Sequence, residues 1–419
     1  MWRIANGGST SDFERLGQTW SNPKIATVLV KPQGFAFQKE VIIFGGGYDP
    51  KLDDDKLFST ADNDGNDYLG NAIYIVNPMT GKKILSISGK ASGADIEVED
   101  MNFSIPAEIA TLDSDSDGVV DRLYFGDLGG QVWRVDLTAI PLKGNKSSSA
   151  VVGKLADIST ATPGERRQFF SPPSVVQVKD TAFSETEEYD YVLIGSGSRP
   201  HPMLEVEKDR FYALRDRFIG DGQLFVQCGG KNVCDSSDGY PNDTNKPLSH
   251  AEADTLIDAT TKGLKDHDVN LVKNSEGYFF DFATANSGKS GEKALSAPLT
   301  VGGAVSFTTF DPIALDPGKN TEGGDKDKAK CGAFNVGTAR AYHIDVLSGD
   351  IPELSEVAKG QGANRLRKAI GSGIPSDVVP LFTSDGIVGI TQADGIGKTL
   401  GTLTSNPPER AYWNESIDF

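Results

Sequence analysis

A nine-residue stretch, DSDSDGVVD, carries four aspartates at alternating or near-alternating positions between Asp113 and Asp121, around a single glycine. A polar turn between two strands needs one Asp or Asn to bond its backbone, and it does not need four. Carboxylates at this spacing repel one another unless a cation neutralises them. The stretch therefore predicts a metal site, and the alternative is a plain acidic turn.

The order of the oxygen ligands indicates which metal the loop binds. Counted from Asp113, carboxylates stand at positions one, three, five and nine, the glycine stands at six, and a backbone carbonyl is available at seven. A calcium loop uses this order, and hard oxygens on a flexible loop suit Ca²⁺ better than Mg²⁺. Tyr124 stands at position twelve, where a bidentate Glu is expected, so Asp121 must complete the shell before the strand RLYFGD. The predicted Ca²⁺ ligands are Asp113, Asp115, Asp117, Val119 through its carbonyl, and Asp121.

A second acidic stretch, ADNDGNDYLG, places Asp62, Asp64 and Asp67 around Gly65. Its spacing does not complete a calcium loop, and runs of Asn, Asp and Gly are ordinary in turns. A turn is therefore the favoured interpretation, and weak binding of a second cation is the alternative.

The three cysteines do not have the spacing of a zinc site, since Cys228 and Cys234 lie in CGGKNVC and Cys331 is far along the chain. A local Cys228–Cys234 disulfide is one interpretation, and it implies an oxidising compartment. Three reduced thiols are the other interpretation.

The composition is that of an acidic chain of 419 residues, with 41 basic and 59 acidic side chains and a formal net charge of −18. This charge argues against nucleic acid as a partner, because a phosphate backbone requires a basic surface. The sequence has no run of about 18 apolar residues, so we expect no membrane span. Its first residues, MWRIANGGSTSDFERLG, lack the pattern of a signal peptide, which taken alone predicts a cytoplasmic protein.

A repeated order of short strands surrounds the acidic loop. Five segments open with a small residue, a proline and a β-branched run, beginning at Ser21, Ser104, Ser171, Ser296 and Gly373. Proline is tolerated at the start of a strand, where it removes no interior ladder bond. Second strands ending in glycine follow most of these openings (EVIIFGGG, DRLYFGD, DYVLIGSG), and third strands carry an aromatic residue (NAIYIVN, GQVWRVD, DRFYALRD, TARAYHID).

This repeated order of strands predicts an all-β fold, namely a modified β-propeller with long insertions. Four full blades are expected, followed by the first strand of a fifth blade. Residues 1–419 are expected to form a single propeller domain. The stretch DPGKNTEGGDKDKAK, residues 316–330, is expected to be a mobile insertion within that domain.

Some charged and aromatic residues within the predicted strands are expected to be structural. Asp209 and Arg210, beside Asp216 and Arg217, are expected to form ion pairs at blade edges, which contribute little when they are exposed. Trp133 is expected to contribute to the packing of the blades and not to contact a ligand.

These motifs together resemble the C-terminal propeller of the PilY/PilC family, proteins associated with the tips of type IV pili. The strongest match is DSDSDGVVDRLYFGDLGGQVWRVDL, in which the family's calcium loop leads into the strand pair Y-x-G-D-L-x-G-x-x-W-R-x-D-L. Further matches, in family order, are LGQTWSNP with VIIFGGGYD, VLIGSGSRPHP with DRFYALRD, GEKALSAPLTVGGAVSFTTFDP, and CGAFNVGTARAYHIDVLSGD. The resemblance extends from Trp2 to about Asp350 and covers most of the chain.

The resemblance implies calcium binding by the five ligands named above, export, and a position at the pilus tip, at the outer-membrane surface or outside the cell. It implies partners in the pilus machinery, including minor pilins, and calcium-dependent regulation of pilus extension and retraction, twitching motility and surface adhesion. The family's usual N-terminal region and its N-D-G-x-x-H-A-F-D motif are missing from this sequence. The chain is therefore expected to match a family member that begins partway round the propeller, without its first blades.

Two other functions compete with this interpretation. Similar quinoprotein-like blades occur in pyrroloquinoline-quinone-dependent dehydrogenases, which also use calcium. The sequence has no adjacent cysteine pair and no nucleophile-elbow motif, so we expect that the protein is not an enzyme. A direct adhesin without a calcium switch is the other alternative, since a propeller face and insertions such as residues 231–246 offer surfaces for a host or surface ligand.

Overall fold

Five sheets follow one another along the residues that the structure describes. The structure is a computed structural model. It describes residues 2–5, 12–32, 34–53, 69–90, 92–158, 165–180, 187–217, 219, 248–249, 256–282, 291–312, 337–352, 366–383 and 386–402. The predicted insertion at 316–330 lies outside these residues.

The first sheet contains six strands. They are β1 (Lys24–Lys31), β2 (Phe37–Gly45), β3 (Ala72–Val76), β4 (Lys83–Gly89), β5 (Ile96–Val98) and β9 (Ile140–Pro141). Strands β1 to β4 form an antiparallel meander, and β5 and β9 are added in parallel at its two edges.

The second and third sheets repeat the meander, each with one short parallel strand at an edge. The second contains β6 (Ala110–Leu112), β7 (Arg122–Gly126), β8 (Gln131–Leu137), β10 (Ala150–Asp157) and β14 (Leu248–Ser249). The third contains β11 (Ser174–Asp180), β12 (Glu187–Gly195), β13 (Arg210–Asp216), β15 (Ile257–Asp258) and β16 (Gly277–Asp281).

The fourth and fifth sheets complete the series. The fourth contains β17 (Lys293–Ala294), β18 (Leu299–Val301), β19 (Ala304–Asp311), β20 (Thr338–Asp345) and β21 (Arg367–Ser372), and the fifth contains β22 (Val379–Thr383), β23 (Gly386–Ala393) and β24 (Ile396–Thr402). A short α-helix, α1 (Val269–Asn274), precedes β16, and 3-10 helices span Pro50–Asp53 and Leu264–Asp266. No helix in the described ranges has the length and apolar character needed to cross a bilayer.

The proline-containing openings predicted from the sequence mark the sheets. Each of the five leads into a strand that starts a meander, namely β1, β6, β11, β18 or β22. The predicted all-β, propeller-like fold is confirmed, with four sheets of at least four strands and a fifth of three.

Among the described residues, four hydrophobic cores lie between consecutive sheets, which explains why a central strand such as β7 (RLYFG) is buried at every position. In β3 (AIYIV) alternate residues contribute to the core with the second sheet, whereas Tyr74 and its face pack against Leu16 near the N-terminus. Trp133 is fully buried between the first and second sheets, as predicted. We call the contact between two consecutive sheets a seam. The core of the first seam includes Val28, Ile43, Leu123 and Trp133, and that of the second includes Tyr124, Val132, Val192 and Tyr212. The core of the third seam includes Phe211, Phe280, Phe307 and Tyr342, and that of the fourth includes Ala339, Ala341, Ala393 and Leu400.

Candidate metal centre

The stretch from Asp113 to Asp121 is the turn of the hairpin between β6 and β7. Leu112 and Arg122 are partners at the last register position of the two strands. The backbone N–H of Asp121 donates to the carbonyl of Leu112 over 2.9 Å and closes the base of the loop. The loop is therefore held between adjacent strands, as the sequence predicted, and no helix flanks it.

The loop folds back on itself because its backbone donates to its own aspartates. The N–H groups of Asp117 and Gly118 donate to the two carboxylate oxygens of Asp113 over 3.2 and 2.8 Å, and that of Val119 donates to Asp117 over 2.8 Å. The sharp turn requires a left-handed backbone at Ser116 (φ 64°) and at Gly118 (φ 85°). Glycine adopts this conformation without the steric cost of a Cβ, which accounts for its place at position six.

Three of the predicted ligands converge. Asp113, Asp115 and Asp117 each offer a carboxylate oxygen, and these oxygens lie within 4.8 Å of one another. Asp113 is half-buried, whereas the other two are exposed, so the cluster faces solvent. The pKa of Asp115 is raised, first by desolvation and further by the neighbouring carboxylates, and a cation at this cluster would relieve their repulsion.

The other two predicted ligands lie at the base of the loop. Asp121 accepts hydrogen bonds from the backbone N–H and the hydroxyl of Ser114, over 2.7 and 2.5 Å, and it is not one of the three converging carboxylates. The side chain of Val119 is buried at 4% exposure, which fixes the backbone that carries its carbonyl. Asp121 therefore braces the loop in this structure.

The donor set fits a hard divalent cation. All of the predicted ligands offer oxygen, and none offers nitrogen or sulfur, which excludes the preferences of soft metals. Ca²⁺ accepts about six to eight oxygens in flexible geometry, including water on an exposed side. The convergence of three carboxylates at a solvent-facing turn is compatible with that coordination.

The loop is also bonded to the sheets on both sides of its own. The N–H of Val120 donates to the carbonyl of Thr27, in β1 of the first sheet, over 2.8 Å. The side-chain amide of Gln177, in β11 of the third sheet, donates to the carbonyl of Ser114 over 3.2 Å. The loop therefore lies where three consecutive sheets meet.

A buried charge network begins at the residue that follows the loop. Arg122 donates to Asp190 over 3.0 Å, and Arg134 donates to Asp216 over 2.9 Å. The hydroxyl of Tyr124 lies 2.9 Å from the carboxylate of Asp190 and 2.8 Å from that of Asp216. These side chains join the second sheet to the third by charge as well as by apolar packing.

The sequence reasoning missed this network. Of the residues expected to form ion pairs at blade edges, Arg210 pairs with Asp281 and Arg217 with Glu187. Asp216 does not lie at an exposed edge, because it is fully buried and pairs with Arg134 of the neighbouring sheet. Burial raises the pKa of Asp190 to about 6, although the nearby arginines oppose the rise. The sequence did contain a signal for this network, namely an arginine and an aspartate inside the otherwise apolar strand QVWRVDL. An unpaired charge in a buried strand is strongly destabilising, so these residues indicate buried partners of opposite charge.

Two other groups of predicted residues lie outside the part of the chain that the structure describes. They are the second acidic stretch with Asp62, Asp64 and Asp67, and the cysteines Cys228, Cys234 and Cys331. The second cation and the disulfide stay predictions.

Comparison with known proteins gives one similar sequence and one similar structure. No protein-family model matches the chain. The chain is 26% identical over 284 residues to the type IV pilus biogenesis factor PilY1 homolog of Xylella fastidiosa strain Temecula1, a match that covers 64% of this chain and 16% of that protein. The crystal structure of the Pseudomonas aeruginosa PilY1 C-terminal domain is similar with a TM-score of 0.53 and 15% identity, covering 93% of this chain and 73% of that one. Both findings confirm the resemblance inferred from the motifs, and the second shows a fold of the PilY1 C-terminal type.

Proposed function

We propose, with the PilY1-type fold as the premise, that this chain is the propeller part of a type IV pilus biogenesis and tip protein. It acts by binding and regulation and not by catalysis. The fold of the PilY1 C-terminal domain and the sequence similarity to a PilY1 homologue support this proposal. In this role the protein is exported and works at the pilus tip or the cell surface, with minor pilins as partners.

The loop is the regulatory site of the proposed protein, with Ca²⁺ as its ligand. The observation that carries this is the convergence of three carboxylates within 4.8 Å in a loop of calcium-loop spacing. A bound calcium ion supplies positive charge that neutralises the aspartates and orders the turn. An affinity on the order of 10⁻⁴ M or tighter would let the loop respond to calcium outside the cell, and so regulate pilus extension, retraction and twitching motility.

Calorimetry with calcium tests this site on the purified chain. We expect the parent to bind one Ca²⁺ and an Asp115→Asn variant to bind it at least about tenfold more weakly, because a converging carboxylate is lost. Asp266→Asn is the matched control, since Asp266 is an exposed aspartate in the 3-10 helix Leu264–Asp266 and is not part of the loop. A parent that binds no calcium would show that DSDSDGVVD is an acidic turn, and the calcium-dependent role would be lost.

A cellular test follows from the same pair of variants. Bacteria carrying Asp115→Asn in the full-length protein should show altered twitching motility, whereas the control variant should behave as the parent. Normal pili and normal motility in a strain whose loop no longer binds calcium would exclude the switch.

A direct adhesin is the second candidate, and one observation favours it. The indole of Trp20 is 44% exposed and stacks on the buried ring of Tyr48 with 4.5 Å between ring centroids. An exposed aromatic ring on a rigid support is a common contact for surface ligands. Loss of surface attachment in Trp20→Ala, with calcium binding and motility unchanged, would support this function over the calcium switch.

A further inference from the structure

The third sheet holds the acidic loop at two points. Gln177 donates from its side-chain amide to the carbonyl of Ser114 inside the loop, over 3.2 Å. Arg122, the first residue after the loop, donates to Asp190 over 3.0 Å. Gln177 and Asp190 are direct partners in the register of β11 and β12, so their side chains lie on one face of the third sheet.

Both contacts reach the base of the loop, where its two ends are tied together. Ser114 donates twice to the carboxylate of Asp121, and Asp121 is covalently followed by Arg122. A rearrangement that moves Ser114 or Asp121 therefore displaces a hydrogen bond that crosses from the second sheet to the third.

The surrounding packing leaves little room to absorb such a displacement. Leu112 of β6 and the partly buried Val175 of β11 belong to the same core, and the two strands are in contact. Arg122 is 8% exposed and Asp190 is fully buried, so their ion pair is largely shielded from water. Close-packed interiors transmit strain, and breaking a buried ion pair is strongly unfavourable.

We infer that cation binding in the loop is coupled to the seam between the second and third sheets, with Gln177 as the positioning residue that carries the coupling. The inference rests on the proposed calcium site. Linkage requires reciprocity: if calcium stabilises the Gln177–Ser114 contact, that contact raises the calcium affinity by the same factor. Calcium would thus regulate the cohesion of two propeller blades as well as the order of one loop.

Hydrogen exchange on the parent protein tests the coupling without a mutation. We expect saturating calcium to slow exchange of the amides in β11 and β12 as well as those of the loop. Amides of β23, in the fifth sheet, are the internal control and should be unaffected. Slower exchange in the loop with no change in β11 and β12 would overturn the inference and leave the calcium site intact.

A variant pair tests the residue itself. Gln177→Ala removes the donor to Ser114, and we expect it to weaken calcium binding by about two- to tenfold, as for the loss of one hydrogen bond. Gln392→Ala is the matched control, since Gln392 is an exposed glutamine in β23. Equal calcium affinity in the two variants would overturn the role of Gln177. Absence of calcium binding in the parent would instead remove the proposed site, and the coupling with it.

Discussion

Arg134 and Asp216 form an ion pair across the seam between β8 and β13, with 2.9 Å between Nη1 and Oδ2 and no solvent exposure of either side chain. Arg134 also donates to Asp136, over 2.8 Å, and the hydroxyl of Tyr124 bonds Asp216. Removing two charges from water is unfavourable, and such a pair persists only with good geometry and further hydrogen bonds. The second and third sheets therefore meet through paired buried charges as well as through an apolar core.

Removal of Arg134 should destabilise the protein severely. Arg134→Ala leaves the carboxylate of Asp216 buried without its cation, so we expect a loss of about 3–5 kcal/mol in the free energy of unfolding. Lys24→Ala is the control, because it breaks a more exposed pair with Glu108 (side chains 46% and 26% exposed) and should change stability by less than about 1 kcal/mol. Urea denaturation measures both, and equal losses would contradict the structural role of the buried pair.

Stability should fall in mild acid through His343. Burial lowers the pKa of His343 from 6.5 to about 4, and the imidazole bonds the hydroxyl of Ser306 over 2.8 Å. The unfolded chain takes up this proton below pH 6.5 while the folded protein does not, so the stabilisation present above pH 6.5 is lost as the pH falls towards 4.

We expect this group to account for a change on the order of 2 kcal/mol between pH 7 and pH 4.5. The change should be reduced in His343→Gln and retained in His201→Gln, because His201 is exposed. Denaturation at a series of pH values tests this, and identical pH profiles for the two variants would rule out His343 as the source.

Substitution of two glycines that have the same φ angle distinguishes the effect of loop geometry on calcium binding from the effect of backbone strain on stability. Gly118 and Gly144 both have φ of 85°, and a Cβ would meet no atom within 4 Å at either position. Alanine at either site should cost about 1–2 kcal/mol of stability, because the left-handed region is unfavourable for a residue with a Cβ. Only Gly118→Ala should also weaken calcium binding. Calorimetry measures the calcium affinity of both variants, and equal affinities would contradict a role for the loop geometry.

The indole of Trp133 should stabilise a tight hairpin. Its N–H donates to the fully buried carboxylate of Asp127 over 2.8 Å, and the same carboxylate accepts from the backbone of Gly129 and Gln131. Trp133→Phe leaves one acceptor without its donor, so we expect a loss of about 1–3 kcal/mol. Trp20→Phe, at an exposed site, should change stability by about 0.5 kcal/mol or less, and thermal unfolding compares the two.

The fold followed from local signals in the sequence. Strand openings with proline and strand ends with glycine are determined by backbone chemistry within a few residues, and each opening does lead into a sheet. The acidic loop was equally local, because Asp113, Asp115 and Asp117 are brought together by a turn that Gly118 permits. Spacing along the chain was therefore sufficient for both.

Contacts between blades could not be predicted from local sequence patterns. Gln177 lies 63 residues from Ser114, and Arg134 lies 82 residues from Asp216, so no local pattern pairs them. The sequence predicted that Asp216 forms an ion pair, but it did not identify Arg134 of the neighbouring sheet as the partner. Within the loop, by contrast, the spacing of Asp121 predicts a ligand, and only the structure shows that its carboxylate instead accepts from Ser114.

The succession of cores between neighbouring sheets has a consequence for how the protein comes apart. Among the described residues, no core joins the fifth sheet to the first, so each sheet is stabilised chiefly by the sheets before and after it. Such a molecule behaves as a one-dimensional array of coupled units, in which stability is a sum of unit terms and nearest-neighbour terms. The first and fifth sheets each have one such neighbour, but the first also packs against Leu16, whereas the fifth leaves Val379 and Leu381 about half exposed. The fifth sheet is therefore the unit that should open at the lowest free energy, ahead of the sheets that surround the acidic loop.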